Sequence, residues 1–181
     1  MSDIDHLLVQ PDGFLPKERY TTTEFSDLEF ERLWPHVWQI AGREEELDAS
    51  GDFLEYTIGD DSILVVRTDR GTLSAFHNAC RHRGTPLAAG CGTFATGEIR
   101  CPYHAWTYAL DGRLVRVPDR EEFDGLPDGL GLRPVRVECW GGFMFVNMDL
   151  DAEPLRDFLD PLPALLAPYR FDELRFRSYR T

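Results

Sequence analysis

Cys80-Arg81-His82-Arg83-Gly84-Thr85-Pro86-Leu87 is followed, with eighteen residues between His82 and the next cysteine, by Cys101-Pro102-Tyr103-His104-Ala105-Trp106. Each cluster offers one thiolate and one imidazole, and two loops carrying four such ligands can close one metal site. A [2Fe-2S] centre with two cysteines on one iron and two histidines on the other needs this inventory, with Cys80, His82, Cys101 and His104 as ligands. A structural zinc ion draws on the same residue types. The plainest reading, two core cysteines and two surface histidines, requires both spacings and both loop-like contexts to coincide.

The pattern C-R-H-R-G followed by C-P-Y-H-A-W resembles the Rieske motif. With N-A-C-R-H before it and D-G-R-L after it, the stretch from about Phe30 to Leu150 is similar to the N-terminal part of the large (alpha) subunit of aromatic-ring-hydroxylating oxygenases. The resemblance implies an antiparallel, mainly β Rieske-type sandwich with two cluster-binding loops. It also implies electron transfer from a ferredoxin or flavin-containing reductase to a mononuclear non-haem Fe(II), held by two histidines and a carboxylate in a following catalytic domain. There O2 would be activated to hydroxylate an organic, aromatic substrate, as a dioxygenase or monooxygenase, in a homotrimer or mixed alpha-beta oligomer. No histidine follows His104, so ligands for that second iron are expected only in a catalytic domain outside these residues.

Charge assigns the ligands their consequences. Two ferric ions, two sulfides, two thiolates and two neutral imidazoles sum to zero, so reduction adds one negative charge and the centre has a higher potential than an all-cysteine one. In the respiratory relatives of the motif, extra loop cysteines form a disulfide and a hydroxyl bonds to the cluster. Thr85 and Tyr103 stand at those cysteine positions and Trp106 at the serine position, which implies fewer donors and a potential on the low side of the class. Gly84 permits a tight loop, Pro86 and Pro102 stiffen the chain, and Tyr103 and Trp106 read equally as cluster shields or ordinary core aromatics. Arg81 and Arg83 read as solvated cations or as attractors of an acidic donor or neighbouring carboxylates. His6, His36 and His77 have no partner at ligand spacing, and Cys91 and Cys139 read as buried small hydrophobes.

Composition sets the outer bounds. The 181 residues, 43% hydrophobic and 28% charged, describe a folded protein with one core, or one core plus a rim of another domain. A formal charge of -13, with no basic patch, argues against nucleic acid. No apolar run is long enough for a membrane span, and no signal-peptide pattern opens the chain. Four cysteines, two assigned to metal, suit a reducing cytoplasm. No flavin or nucleotide fingerprint is present, so electrons come from another protein.

Along the chain, residues 1–20 read as an irregular arm. A helix is predicted from Ser26 to Trp34, with a Ser26/Glu29 capping box and Pro35 ending it. Strands are predicted at Val37–Ala41, Phe53–Ile58, Ser62–Thr68, Leu73–Phe76, Glu98–Arg100, Thr107–Leu110, Arg113–Val117, Val135–Glu138 and Phe143–Asn147, with Ile63-Leu64-Val65-Val66 too apolar to be half exposed. Asp111-Gly112 is the strongest hairpin signal. Glu121–Gly131 reads as a surface excursion. A short helix is expected from Pro154 to Leu159, followed by an apolar, proline-punctuated segment expected to dock on something absent or on another subunit.

These readings divide the chain into residues 1–38, an arm and helix that would pack on a catalytic domain; 39–150, the Rieske domain; and 151–181, the start of a truncated or missing catalytic domain. The expected function is the electron relay of an oxygenase. A free-standing Rieske-type ferredoxin and a zinc-stabilised interaction module are the alternatives.

Overall fold

Ile63, Leu64, Val65 and Val66 are all fully buried, and the arrangement of the molecule follows from how that is achieved. In the computed structural model, which describes residues 13–123 and 125–175, these residues form the middle of β3 (Asp61–Arg67). Successive side chains of a strand point to opposite faces, so a strand buried at every position needs cover on both. Leu64 and Val66 face a core shared with the ligand loops, whereas Ile63 and Val65 face a second core with Leu47, Ala75, Val135, Met144 and Val146. Each such side chain stabilises the fold by about 1.5–3 kcal/mol.

The other strands are β1 (Gln39–Arg43), β2 (Asp52–Ile58), β4 (Leu73–His77), β5 (Cys91–Thr93), β6 (Glu98–Arg100), β7 (Thr107–Ala109), β8 (Leu114–Arg116), β9 (Pro134–Trp140) and β10 (Phe143–Asn147). A seven-stranded sheet runs in the order β1-β10-β9-β4-β3-β2-β5, and a three-stranded sheet in the order β6-β7-β8. Every pairing is antiparallel. The core that contains Leu64 and Val66 joins Phe53 and Phe76 of the large sheet to Ile99 and Tyr108 of the small one. This is the expected antiparallel sandwich, with the short strand β5 as an additional edge.

Short helices flank the sheets. Helices α1 (Glu18–Thr21) and α2 (Thr23–Arg32) precede them, and α3 (Leu155–Phe158) and α4 (Leu162–Leu166) follow. The cap of α2 is Thr22 rather than Ser26. Thr22 is extended and its hydroxyl accepts the Phe25 N–H at 3.4 Å, while Ser26 lies inside the helix, bonded to the Thr22 carbonyl. The helix stops at Arg32, three residues before Pro35, which has no N–H to extend the ladder. Residues 1–12, with His6, lie outside the described residues.

The described segments before and after the sheets touch the β body. Phe30 of α2 lies against Gly59 in the β2–β3 turn, where a Cβ would come within 2.4 Å of its ring. Trp38, Phe145, Leu155 and Leu159 form a third buried cluster, and the Trp38 indole donates to the Glu153 carbonyl at 2.9 Å. Arg43 donates to the carbonyls of Gly141, Phe171 and Leu174. The C-terminal segment thus docks partly on this chain's own sheet, while Phe158, Leu162, Leu165 and Tyr169 remain exposed.

Candidate metal centre

The two ligand loops share one backbone design. In each, the cysteine N–H donates to the carbonyl five residues on: Cys80 to Thr85 at 2.9 Å and Cys101 to Trp106 at 2.8 Å. The N–H of the fourth residue returns to the cysteine carbonyl, Gly84 to Cys80 at 2.8 Å and Ala105 to Cys101 at 3.1 Å. Closing this turn puts the fourth residue in left-handed backbone, with φ of 69° at Gly84 and 56° at Ala105. Glycine adopts that conformation freely, whereas alanine carries about 1–2 kcal/mol of strain.

Asn78, buried at the end of β4, fixes the first loop at its base. Its Oδ1 accepts the N–H groups of Leu87 and Ala88 at 2.9 and 3.3 Å, and its Nδ2 donates to the Ala88 carbonyl at 2.7 Å. The same amide reaches Ser62 Oγ and Glu55 Oε1. Glu55 accepts in addition from the Ser62 hydroxyl and the Gly90 N–H. Those donors, Ser62 foremost, hold its carboxyl below the ordinary 4.5. The small sheet carries the second loop between β6 and β7.

The loops bring the candidate ligands together in pairs, Cys80 with Cys101 and His82 with His104. Cys80 and Cys101 are buried, and burial raises the Cys80 thiol above its ordinary value. Tyr108, fully buried, places its hydroxyl 3.3 Å from Cys80 Sγ. That oxygen accepts the Arg81 N–H at 3.0 Å, which leaves its proton for the sulfur. Sequence reasoning passed over this donor, although the period-two pattern Trp106, Tyr108, Leu110, all buried, pointed it inward.

The imidazoles of His82 and His104 lie with ring centroids 4.7 Å apart. His82 Nδ1 is a buried nitrogen without a hydrogen-bond partner. An orphaned buried polar nitrogen is costly, and a metal bond is an interaction that a neutral imidazole nitrogen is suited to make. Burial, then the neighbouring His104 and Arg83, holds the His82 imidazole below its ordinary value, which favours the neutral, ligating form. Among the described residues no three His, Cys, Asp or Glu side chains converge as one mononuclear ion would gather them. The residues present fit a binuclear centre with one thiol pair and one imidazole pair.

The aromatic surroundings split. Trp106 is buried and stacks on His82, with centroids 5.0 Å apart and planes at 7°. Tyr103 lies 3.7 Å from the His104 ring but is 61% exposed. The stretch 121–131 is more than a surface excursion: Phe123, Leu126 and Leu130 pack on the core that holds Cys80 and Cys101, because its charges and glycines leave those three apolar side chains to turn inward. Arg81 and Arg83 are exposed. His36 pairs with Asp149 at 3.1 Å, and His77 lies in β4, so neither joins the site. Cys91 and Cys139 are exposed rather than buried. The first lies on the edge strand β5, the second one pair from the Gly141-Gly142 turn that closes the β9–β10 hairpin.

The same fold occurs in solved proteins. The quaternary ammonium Rieske monooxygenase CntA, with gamma-butyrobetaine bound, superposes with a TM-score of 0.84 at 30% identity, over 90% of this chain and 47% of that one. Naphthalene 1,2-dioxygenase with indole bound gives 0.82 at 29% identity, over 93% and 38%. In sequence, the glycine betaine monooxygenase oxygenase subunit of Chromohalobacter salexigens is 42% identical over 92% of this chain. The alpha subunit of biphenyl 2,3-dioxygenase from Rhodococcus jostii is 36% identical over 87%. The chain spans 37% of the first relative's length and 35% of the second's. Residues 37–140 match the Rieske [2Fe-2S] domain model, and the chain therefore belongs to the Rieske [2Fe-2S] domain family, matching the Rieske-bearing part of ring-hydroxylating oxygenase subunits.

Proposed function

We propose that this chain is the electron-relay part of a Rieske oxygenase, in which Cys80 and Cys101 hold one iron of a [2Fe-2S] cluster and His82 and His104 the other. The observation that carries the reading is the partnerless, buried His82 Nδ1, in a ring paired with that of His104. Such a cluster, when bound, accepts and passes on one electron at a time. The chain's own residues hold it still: the paired turns fix the cysteines, Asn78 fixes the first loop, and Tyr108 donates toward Cys80 Sγ. A ligand set on strand-anchored loops reorganises little when charge changes.

On this reading residues 39–150 are the Rieske domain, residues 1–38 are an arm that also contacts a catalytic domain, and residues 151–181 lead into that domain. The mononuclear Fe(II) belongs to the catalytic domain, and a ferredoxin or flavin-containing reductase supplies electrons. Assembly is as a homotrimer or mixed alpha-beta oligomer; inter-subunit electron transfer is described for a solved quaternary ammonium Rieske monooxygenase. The exposed thiols of Cys91 and Cys139 suit a reducing cytoplasm, and among the described residues no helix is long and apolar enough to cross a membrane. For substrate, the 42%-identical glycine betaine relative and the 39%-identical choline monooxygenase of Beta vulgaris favour a small quaternary ammonium compound over an aromatic hydrocarbon.

Iron and acid-labile sulfide analysis of the purified chain tests the cluster. Two irons and two sulfides are expected, with a visible and electron-spin spectrum that His104→Ala abolishes. One zinc per chain, or an unchanged spectrum in that variant, would refute it. The full-length oxygenase, assayed for product with glycine betaine and with biphenyl, decides the substrate class.

A further inference from the structure

The two histidines of the site are held in different ways, and the difference points to a residue outside both ligand loops. His104 contacts the exposed ring of Tyr103. His82 is enclosed: Trp106 stacks flat on one face, and Phe123 stands edge-on to both, 5.6 Å and 85° from His82 and 5.5 Å and 78° from Trp106. Three rings in mutual stacked and T-shaped contact allow little rotation of the middle one. Trp106 is two residues from His104 in the second loop, whereas Phe123 comes from the excursion after β8. There a single 3-10 turn, Arg120–Glu122, delivers it, entered through left-handed Asp119 at φ 49°. A non-glycine residue in that conformation costs about 1–3 kcal/mol and persists where the surroundings enforce it.

We propose that Phe123 is a positioning residue for the metal centre: with Trp106 it clamps the His82 ring in its ligating orientation and keeps water from the buried side of the site. The clamp rests on the four-ligand reading above but does not follow from it, since Phe123 belongs to neither motif and meets the site through the rings of His82 and Trp106. Two effects follow. Rotation of the His82 plane alters the electronic symmetry of the iron it binds, and admission of water stabilises the extra negative charge of the reduced state.

The test compares Phe123→Ala, Phe123→Leu and Leu126→Ala with the parent chain, each carrying its cluster, by electron-spin spectrum, midpoint potential and rate of cluster bleaching. Phe123→Ala is expected to shift the g values, raise the potential and bleach about tenfold faster. Phe123→Leu, which keeps the apolar plug but loses the ring edge, should recover the bleaching rate and keep the shifted spectrum. Leu126→Ala removes core packing from the same excursion but leaves the Trp106 and Phe123 rings on His82 in place, and should lower thermal stability while leaving spectrum and potential alone. A parental spectrum and potential in Phe123→Ala, or the same shifts in Leu126→Ala, would overturn the clamp. If Phe123→Ala loses its cluster during purification, Phe123→Leu decides: a parental spectrum there overturns the proposal. Iron and sulfide analysis of the parent separates these outcomes from a failure of the cluster reading itself.

Discussion

Tyr108 concentrates the chemistry that a ligand list leaves out. Its hydroxyl accepts one backbone N–H and stands 3.3 Å from the Cys80 sulfur, and burial raises its own pKa far above the ordinary 10.0, so the proton stays on the oxygen at any working pH. A hydrogen bond to a ligand sulfur withdraws electron density and stabilises the reduced centre. Tyr108→Phe fits the same space, and should lower the midpoint potential measured by protein-film voltammetry. It also leaves the Arg81 N–H without its acceptor, at about 1–3 kcal/mol of stability. An unmoved potential would show that the hydroxyl has no hold on the sulfur. Trp106 and Tyr103 share a motif, yet only the first is buried; the motif fixed their order and the fold their exposure.

At the scale of elements, the twin turns give a matched pair of experiments. Both need a left-handed fourth residue, and one has glycine while the other has alanine. No atom lies within 4 Å of a Cβ built on Gly84, so Gly84→Ala tests backbone strain without a clash. It should cost about 1–2 kcal/mol in urea unfolding. Ala105→Gly relieves that strain but loosens the unfolded chain, and should be neutral to stabilising by about 1 kcal/mol. Equal losses for both variants would mean that the turns are not equivalent. The equivalence was hidden in the sequence because the histidine follows its cysteine by two residues in one loop and by three in the other. It emerges only from the hydrogen bonds.

For the whole molecule, carboxylates outside the site tie stability to pH. Asp52 is held below its ordinary 3.8 chiefly by the Thr93 hydroxyl and the Ala49 N–H, and Glu55 below 4.5 by the Ser62 hydroxyl and the Gly90 N–H. A depressed folded pKa means that the unfolded chain takes up the proton first. The stabilisation is therefore complete above the ordinary values, fades as pH falls below them, and is gone once pH passes the depressed folded values. Urea unfolding followed by tryptophan fluorescence should show this loss below about pH 4.5. Glu55→Gln should flatten the dependence, while weakening the base of the first ligand loop through Asn78. A slope unchanged in that variant would remove Glu55 from the account.

The residues alone named the four candidate ligands and nearly every strand, because ligand chemistry demands particular side chains at short spacing and strand burial repeats every two residues; the sandwich class came with the resemblance to the Rieske motif. Ile63–Val66 announced a strand covered on both faces, and the β3 register delivers it. Tertiary structure alone decided what lies between elements distant in sequence: Tyr108 beneath Cys80, Asn78 bracing the loop through Glu55 and Ser62, Phe123 against His82, and the C-terminal segment laid on Trp38 and Arg43. Such contacts leave no local periodicity. They depend on which strands pair, and strand pairing is settled by the burial of the whole chain.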